Sequence, residues 1–250
     1  MPVQAALWGL LAGSGLLLGA AIAVVFYDQL SHRIIAASTG FGGGVLIAMM
    51  SVDLMQKSFD AGSAVSTIVG FLAGATTFSA VNRLLARHGA RHRNRCGGCV
   101  AQPSETEHKG SGLAIAVGAL LDGIPESMVI GLSLVGGGHV GWALVAGFFL
   151  SNVPQGLSSA SGMKTAGRSR LYIFSVWATI PVLSGLASMA GYVGLGLTAP
   201  SLPAGVMAFA AGAVIAMLAE SMIPEAFEDA QPFIGLVTAA GFISAFLLIQ

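Results

Sequence analysis

The stretch Leu121-Asp122-Gly123-Ile124-Pro125-Glu126 sets two carboxylates and a proline inside a long apolar run. A charge at the centre of a membrane-spanning helix costs roughly 3 kcal/mol or more, so an acid there marks a functional site by default. Asp122 and Glu126 are four residues apart and would share one helix face. Pro125 has no N–H and clashes with the carbonyl one turn earlier, near Leu121, which leaves backbone oxygen available beside the carboxylates. Carboxylates with free carbonyls suit a cation.

The composition around this stretch points to a membrane. Of 250 residues, 55% are hydrophobic, 9% are charged and 35 are glycine. Soluble domains carry about 25% charged residues, so the expected class is an all-α, polytopic membrane protein. The formal net charge is zero, and the basic residues cluster in two short connections, which reads as topology and not as a nucleic-acid surface. The N-terminal Met-Pro-Val-Gln lacks a basic leader, so the first apolar run is expected to be a retained span. Cys96 and Cys99 lie together in one polar loop and say little about redox compartment.

At about 20 residues per crossing, the apolar runs fit eight spans, near 4–26, 33–57, 61–86, 111–135, 139–163, 170–196, 203–224 and 231–249. Pro203, Pro224 and Pro232 delimit the seventh and eighth, and the sixth contains Pro181. The expected organisation is spans 1–3 in 1–86, a cytoplasmic loop in 87–110, spans 4 and 5 in 111–163, and spans 6–8 in 164–250. Arg33, then Arg83, Arg87, Arg91, Arg93, Arg95 and Lys109, then Lys164, Arg168 and Arg170 all fall on one side, against Lys57 alone on the other. The positive-inside rule puts the long loop in the cytoplasm and both termini outside.

Two internal repeats emerge. AVGALLDGIPESM of span 4 aligns with VAGFFLSNVPQGL of span 5 at an offset of 29, matching Gly118 to Gly147, Leu121 to Leu150 and Pro125 to Pro154. FGGGVLIAMMSVDLMQKSFD of span 2 aligns with FAAGAVIAMLAESMIPEAFE of span 7 at an offset of 168. Each pair joins an even span to an odd one, so the partners would cross in opposite directions. Inverted repeats with broken helices at corresponding positions are a carrier signature, although Gly/Ala-rich spans also align by chance.

Through the first repeat, Asp122 and Glu126 correspond to Ser151 and Gln155, with Asn152 beside them and Pro154 breaking the helix. Facing spans would offer two carboxylates, two amide oxygens and a hydroxyl, a set suited to a hard or borderline dication. The alternative is that these groups hydrogen-bond to one another and only hold the bundle together. Asp53 and Glu220, near opposite ends of spans 2 and 7, are candidate entrance and exit carboxylates, or else ordinary interfacial charges. Glu225, Glu228 and Asp229 read as a solvated turn. The loop at 87–110 holds His88, His92, Cys96, Cys99 and His108, but a single Cys-x-x-Cys among many arginines is a weak metal signal and a disordered basic loop fits it. The glycine clusters at 40–44 and 136–138 fit close packing or tight turns equally well.

These residues resemble the ZIP family of divalent-metal transporters over nearly the whole chain. The family's fourth-span pattern, His-Asn-x-Pro-Glu-Gly, here reads Asp122-Gly123-Ile124-Pro125-Glu126-Ser127. Its fifth-span pattern, His/Gln-Asp/Asn-x-Pro-Glu-Gly, here reads Ser151-Asn152-Val153-Pro154-Gln155-Gly156. The run Glu220-Ser221-Met222-Ile223-Pro224-Glu225-Ala226 of span 7 is also similar. The resemblance implies zinc, iron or manganese (Zn2+, Fe2+ or Mn2+) carried toward the cytoplasm through a binuclear site between spans 4 and 5. Here both imidazoles and at least one bridging carboxylate are replaced, and span 6 reads Ile180-Pro181 where the family often has Glu-Pro. One ion at a time is therefore expected, held by Asp122 and Glu126 with Asn152, Gln155 and Ser151 assisting. Loss of imidazole should weaken the preference for zinc over harder ions.

No cofactor is expected, since the metal is cargo. The expected partners are the ion and membrane lipid, with a homodimer as the oligomer considered and a bacterial plasma membrane as the location. The competing readings are a degenerate, non-transporting relative with a regulatory or scaffolding role, and a carrier in which the same acids handle protons or an organic solute. An enzyme is disfavoured, because no His-Glu-x-x-His occurs and no serine nucleophile has a plausible base. ATP coupling is disfavoured for want of a phosphate-binding Gly-x-x-x-x-Gly-Lys-Ser/Thr loop.

Overall fold

A computed structural model describes residues 1–85, 111–135, 142–195, 201–230 and 232–249. The loop expected at 87–110, with its histidines and cysteines, lies outside them. The described residues are helical except at short connections, with no strand among them. The elements are α1 (Pro2–Val25), α2 (His32–Ala48), α3 (Met55–Ala61), α4 (Ala64–Leu85), α5 (Ser111–Ser133), α6 (Trp142–Thr165), α7 (Arg170–Leu195), α8 (Ser201–Met217), α9 (Ile223–Ala230) and α10 (Ile234–Ile249). Pro2 opens α1, where its missing N–H costs nothing. Ser31 caps α2 by accepting from the Ile34 N–H. Among the described residues, five helical stretches are long and apolar enough to cross a membrane: Pro2–Val25, His32–Ala61, Ala64–Leu84, Arg170–Gly194 and Ala204–Met222. Such residues as Leu171, Leu236 and Trp142 stand exposed on the outside, as a lipid-facing surface requires.

Two of the rods are not plain α-helices. A π-turn at Met49–Leu54 joins α2 to α3, and another at Leu218–Met222 joins α8 to α9. Both turns end at residues aligned by the 168-residue offset, Leu54 and Met222. The helix expected to stop at Pro224 continues to Ala230, because Pro224 falls in the first turn of α9, where a missing N–H is tolerated. Glu225, Glu228 and Asp229 accordingly lie on helical backbone and not in a turn. Pro181 likewise sits inside an unbroken α7.

The helices pack in two groups. In one, α1 is flanked by α6 and α7, and α5 lies on α7 and touches α1. In the other, α4 packs on α8 and α10 on α2, while α2 also meets α6 and so joins the groups. Leu16, Leu157, Ile173 and Trp177 fill the first group, and Leu46, Met49, Phe78, Phe148 and Met217 fill a core at the seam with the second.

Lipid chains are as apolar as leucine, so helices in a membrane gain by close backbone approach over small residues. A Cβ on Gly15 or Gly19 of α1 would overlap the carbonyl of Phe149 or Val153 in α6, and one on Gly156 would overlap that of Leu16. In the second group a Cβ on Gly44 would meet the Thr238 carbonyl of α10, while Gly241 lies against the Phe41 carbonyl. The aligned residues Gly212 and Phe209 do the same toward α4, Gly212 against the Phe71 carbonyl and Gly74 against that of Phe209. Residues matched in sequence thus make matching contacts to different neighbours.

Candidate metal site

Pro125 lies inside α5 and Pro154 inside α6. Neither proline can donate to the carbonyl four residues back, so Leu121 and Leu150 each carry a carbonyl without its intrahelical partner from that position. Glu126, directly after the first proline, is only 2% exposed, and Ser127 beside it is also buried. Asp122 lies on the same helix one turn earlier, and its side chain is outside the described residues. Burying a carboxylate beside a broken helix turn is costly unless something compensates its charge.

On α6, Ser151, Asn152 and Gln155 are all buried. Their hydrogen bonding leaves oxygen lone pairs unspent. The Ser151 hydroxyl donates to the Phe148 carbonyl of its own helix at 3.0 Å, which uses its proton and leaves lone pairs on Oγ. Asn152 Nδ2 donates to the Ala12 carbonyl of α1 at 3.1 Å, which commits the donor end of the amide and leaves Oδ1 as its acceptor. Gln155 Nε2 is buried with no hydrogen-bond partner among the described residues. The buried polar lining continues along α6 through Ser158, Ser159 and Ser161, which the sequence reading did not single out. Serines at three- and four-residue spacing from Gln155 on one helix were the available signal.

The two motif helices do not pack face to face. α5 and α6 touch, but the main neighbour of α5 is α7 and that of α6 is α1, and α1 contacts both. The expectation of two directly facing helices therefore needs correction. The glycines of α1 and Gly156 bring α1 onto α6 at the level of Pro154. A cleft of about 680 Å³ adjoins the other side of α5, walled by Val69, Ile124, Pro125, Met128, Val206 and Phe209.

The remaining acids are tied elsewhere. Asp53 lies in the first π-turn, and its Oδ1 is 2.6 Å from the Lys57 ammonium, with the two side chains 12% and 53% exposed. Glu220 lies in the second π-turn and accepts from the Ser79 hydroxyl and, at 2.9 Å, from Asn82 Nδ2, both on α4. Single π-turns inside α-helices recur at functional sites, and here each carries one of the two candidate path carboxylates. Ser79 and Asn82 were not anticipated, since nothing local in sequence links them to Glu220. Among the described residues no group of three or more His, Cys, Asp or Glu side chains converges.

No family model matches the chain. It is similar to the zinc transporter ZupT of Salmonella newport and that of Salmonella typhimurium, each 26% identical over 228 residues, spanning 88% of this chain and 85% of the relative. This likeness, with the apolar helices, supports a membrane protein related to these zinc transporters.

Proposed function

We propose that this protein is a carrier, and not an enzyme, that moves a divalent metal of the zinc, iron and manganese class toward the cytoplasm. The observation that carries this reading is the buried Glu126 following Pro125, with buried Ser151, Asn152 and Gln155 around Pro154 on the adjoining helix. Asp122 and Glu126 together carry two negative charges, which balance one dication and make a second ion electrostatically costly. Asn152 Oδ1 and Ser151 Oγ would complete the shell, and Gln155, untied at its nitrogen, can turn its amide oxygen toward an ion. An oxygen shell of this kind favours harder ions more than an imidazole-rich one does. Asp53 and Glu220 would serve as carboxylates along the path.

Eight crossings with both termini outside, and spans 1–3 inverted relative to spans 6–8 around spans 4 and 5, complete the proposed architecture. Support comes from the two π-turns ending at aligned residues and from the matching glycine contacts of Phe41/Gly44 and Phe209/Gly212. Alternating access would shift α1, α5, α6 and α7 against the other helices. The apolar cleft at Pro125 supports this, since it opens between α5, α4 and α8 and leaves their contact incomplete.

Equilibrium dialysis of the purified chain against zinc and manganese tests the site. One ion per chain is expected, with affinity lowered about tenfold or more by Glu126→Gln. Two ions per chain, or binding indifferent to Glu126→Gln, would overturn the proposed site.

A further inference from the structure

At the basic end of the bundle, away from the motif prolines, a cavity of about 160 Å³ opens between the α1–α2 connection, α2 and α6. Tyr27, Leu30, His32, Ile35, Ser161 and Thr165 line it. Its hydroxyl protons can be assigned. The Thr165 hydroxyl donates to the Ser161 carbonyl at 3.0 Å, so at the 2.9 Å contact between Tyr27 and Thr165 the phenol is the donor. Ser161 remains: it is 2% exposed and lines the cavity, and its Oγ has no hydrogen-bond partner among the described residues. A buried hydroxyl left in this way costs about 1–3 kcal/mol unless a ligand or water satisfies it.

The surroundings are positive. Lys164 Nζ lies 5.0 Å from the Tyr27 ring centroid. His32 is the first residue of α2, a helix whose N-terminal dipole end favours an anion. No carboxylate lines the cavity, and Asp28, the acid nearest in sequence, is exposed. One imidazole with hydroxyls beside an ammonium is a poor cation site but a good anion site. The residues that flank the lining in sequence, Val25, Phe26 and Ile34, are large, apolar and exposed. Polar donors next to exposed apolar side chains match a headgroup next to acyl chains.

We propose that this cavity seats the phosphate of an anionic phospholipid, with Ser161, His32 and Lys164 as its donors. The inference rests on the membrane-embedded character of the chain and not on metal transport, so a chain that moves no metal would still retain the lipid.

Native mass spectrometry of the full chain in detergent, titrated with dioleoylphosphatidylglycerol or dioleoylphosphatidylcholine, tests it. The wild type should hold one phosphatidylglycerol more tightly than phosphatidylcholine. His32→Gln/Lys164→Gln should weaken that binding about tenfold, while Lys57→Gln, which removes a positive charge elsewhere, should leave it unchanged. Thermal unfolding without added lipid checks that each variant is folded. If the double variant misfolds, Ser161→Ala removes only the unpartnered hydroxyl and should still weaken binding several-fold. Undiminished phosphatidylglycerol binding in the folded variants would overturn the proposal. So would inorganic phosphate that protects the protein from unfolding as well as the lipid does, since it would make free phosphate the occupant.

Discussion

Asn152 Nδ2 and the Ala12 carbonyl, 3.1 Å apart, join α6 to α1 beside Pro154. The bond fixes which end of the amide faces α1, and so which end is left for an ion. Asn152→Ala should lower stability in detergent by about 1 kcal/mol and weaken metal binding as well. Asn152→Asp should destabilise more, since a carboxylate cannot donate to the carbonyl and the two oxygens repel. Thermal unfolding and zinc binding, measured side by side on both variants, check these orders.

Close approach of α1 and α6 depends on Gly19 and Gly156, each set against a carbonyl of the other helix, those of Val153 and Leu16. Gly19→Val should force the helices apart and cost about 1–3 kcal/mol or more, with metal binding lost alongside. Gly235→Ala is the control: nothing lies within 4 Å of a Cβ there, so stability should change little. Unfolding midpoints of the two variants in one detergent compare them directly.

Much of the helical layout was legible because length, apolar content and proline position are local properties. The charges between spans marked their ends, whereas Pro125 and Pro154, expected to break their helices, each lie inside a continuous one. The π-turns were not legible: an extra residue in a helical turn leaves no mark in Met49–Leu54 or Leu218–Met222 beyond their alignment with each other. Pro224 misled, because a proline that would end a regular helix is harmless at the start of a new one. The arrangement of α5 and α6 was missed for a related reason. Gly15 and Gly19 can be read as a packing face only once their partner is known, and that partner is over a hundred residues away. Such long-range contacts also place Ser79 and Asn82 on Glu220, where no sequence spacing predicts them.

The Asp53–Lys57 pair is partly exposed and one helical turn in length. Pairs of this kind contribute about 0–1 kcal/mol, so Lys57→Met should leave the unfolding midpoint nearly unchanged. If Asp53 guards the entrance, removing its ammonium neighbour should lower the metal concentration giving half-maximal uptake, with little change in maximal rate. Uptake kinetics of Lys57→Met and Asp53→Asn check this, and the two substitutions should act in opposite directions.

The central claim is that the acids around Pro125 carry a divalent metal across the membrane. It is tested most directly by uptake of zinc, iron(II) and manganese into proteoliposomes holding wild type or Asp122→Ala/Glu126→Ala, with folding of both checked by circular dichroism. The wild type should accumulate metal, and the double variant should show uptake at the level of empty liposomes. Equal uptake by the two proteins, or none by well-folded wild type, would contradict the claim.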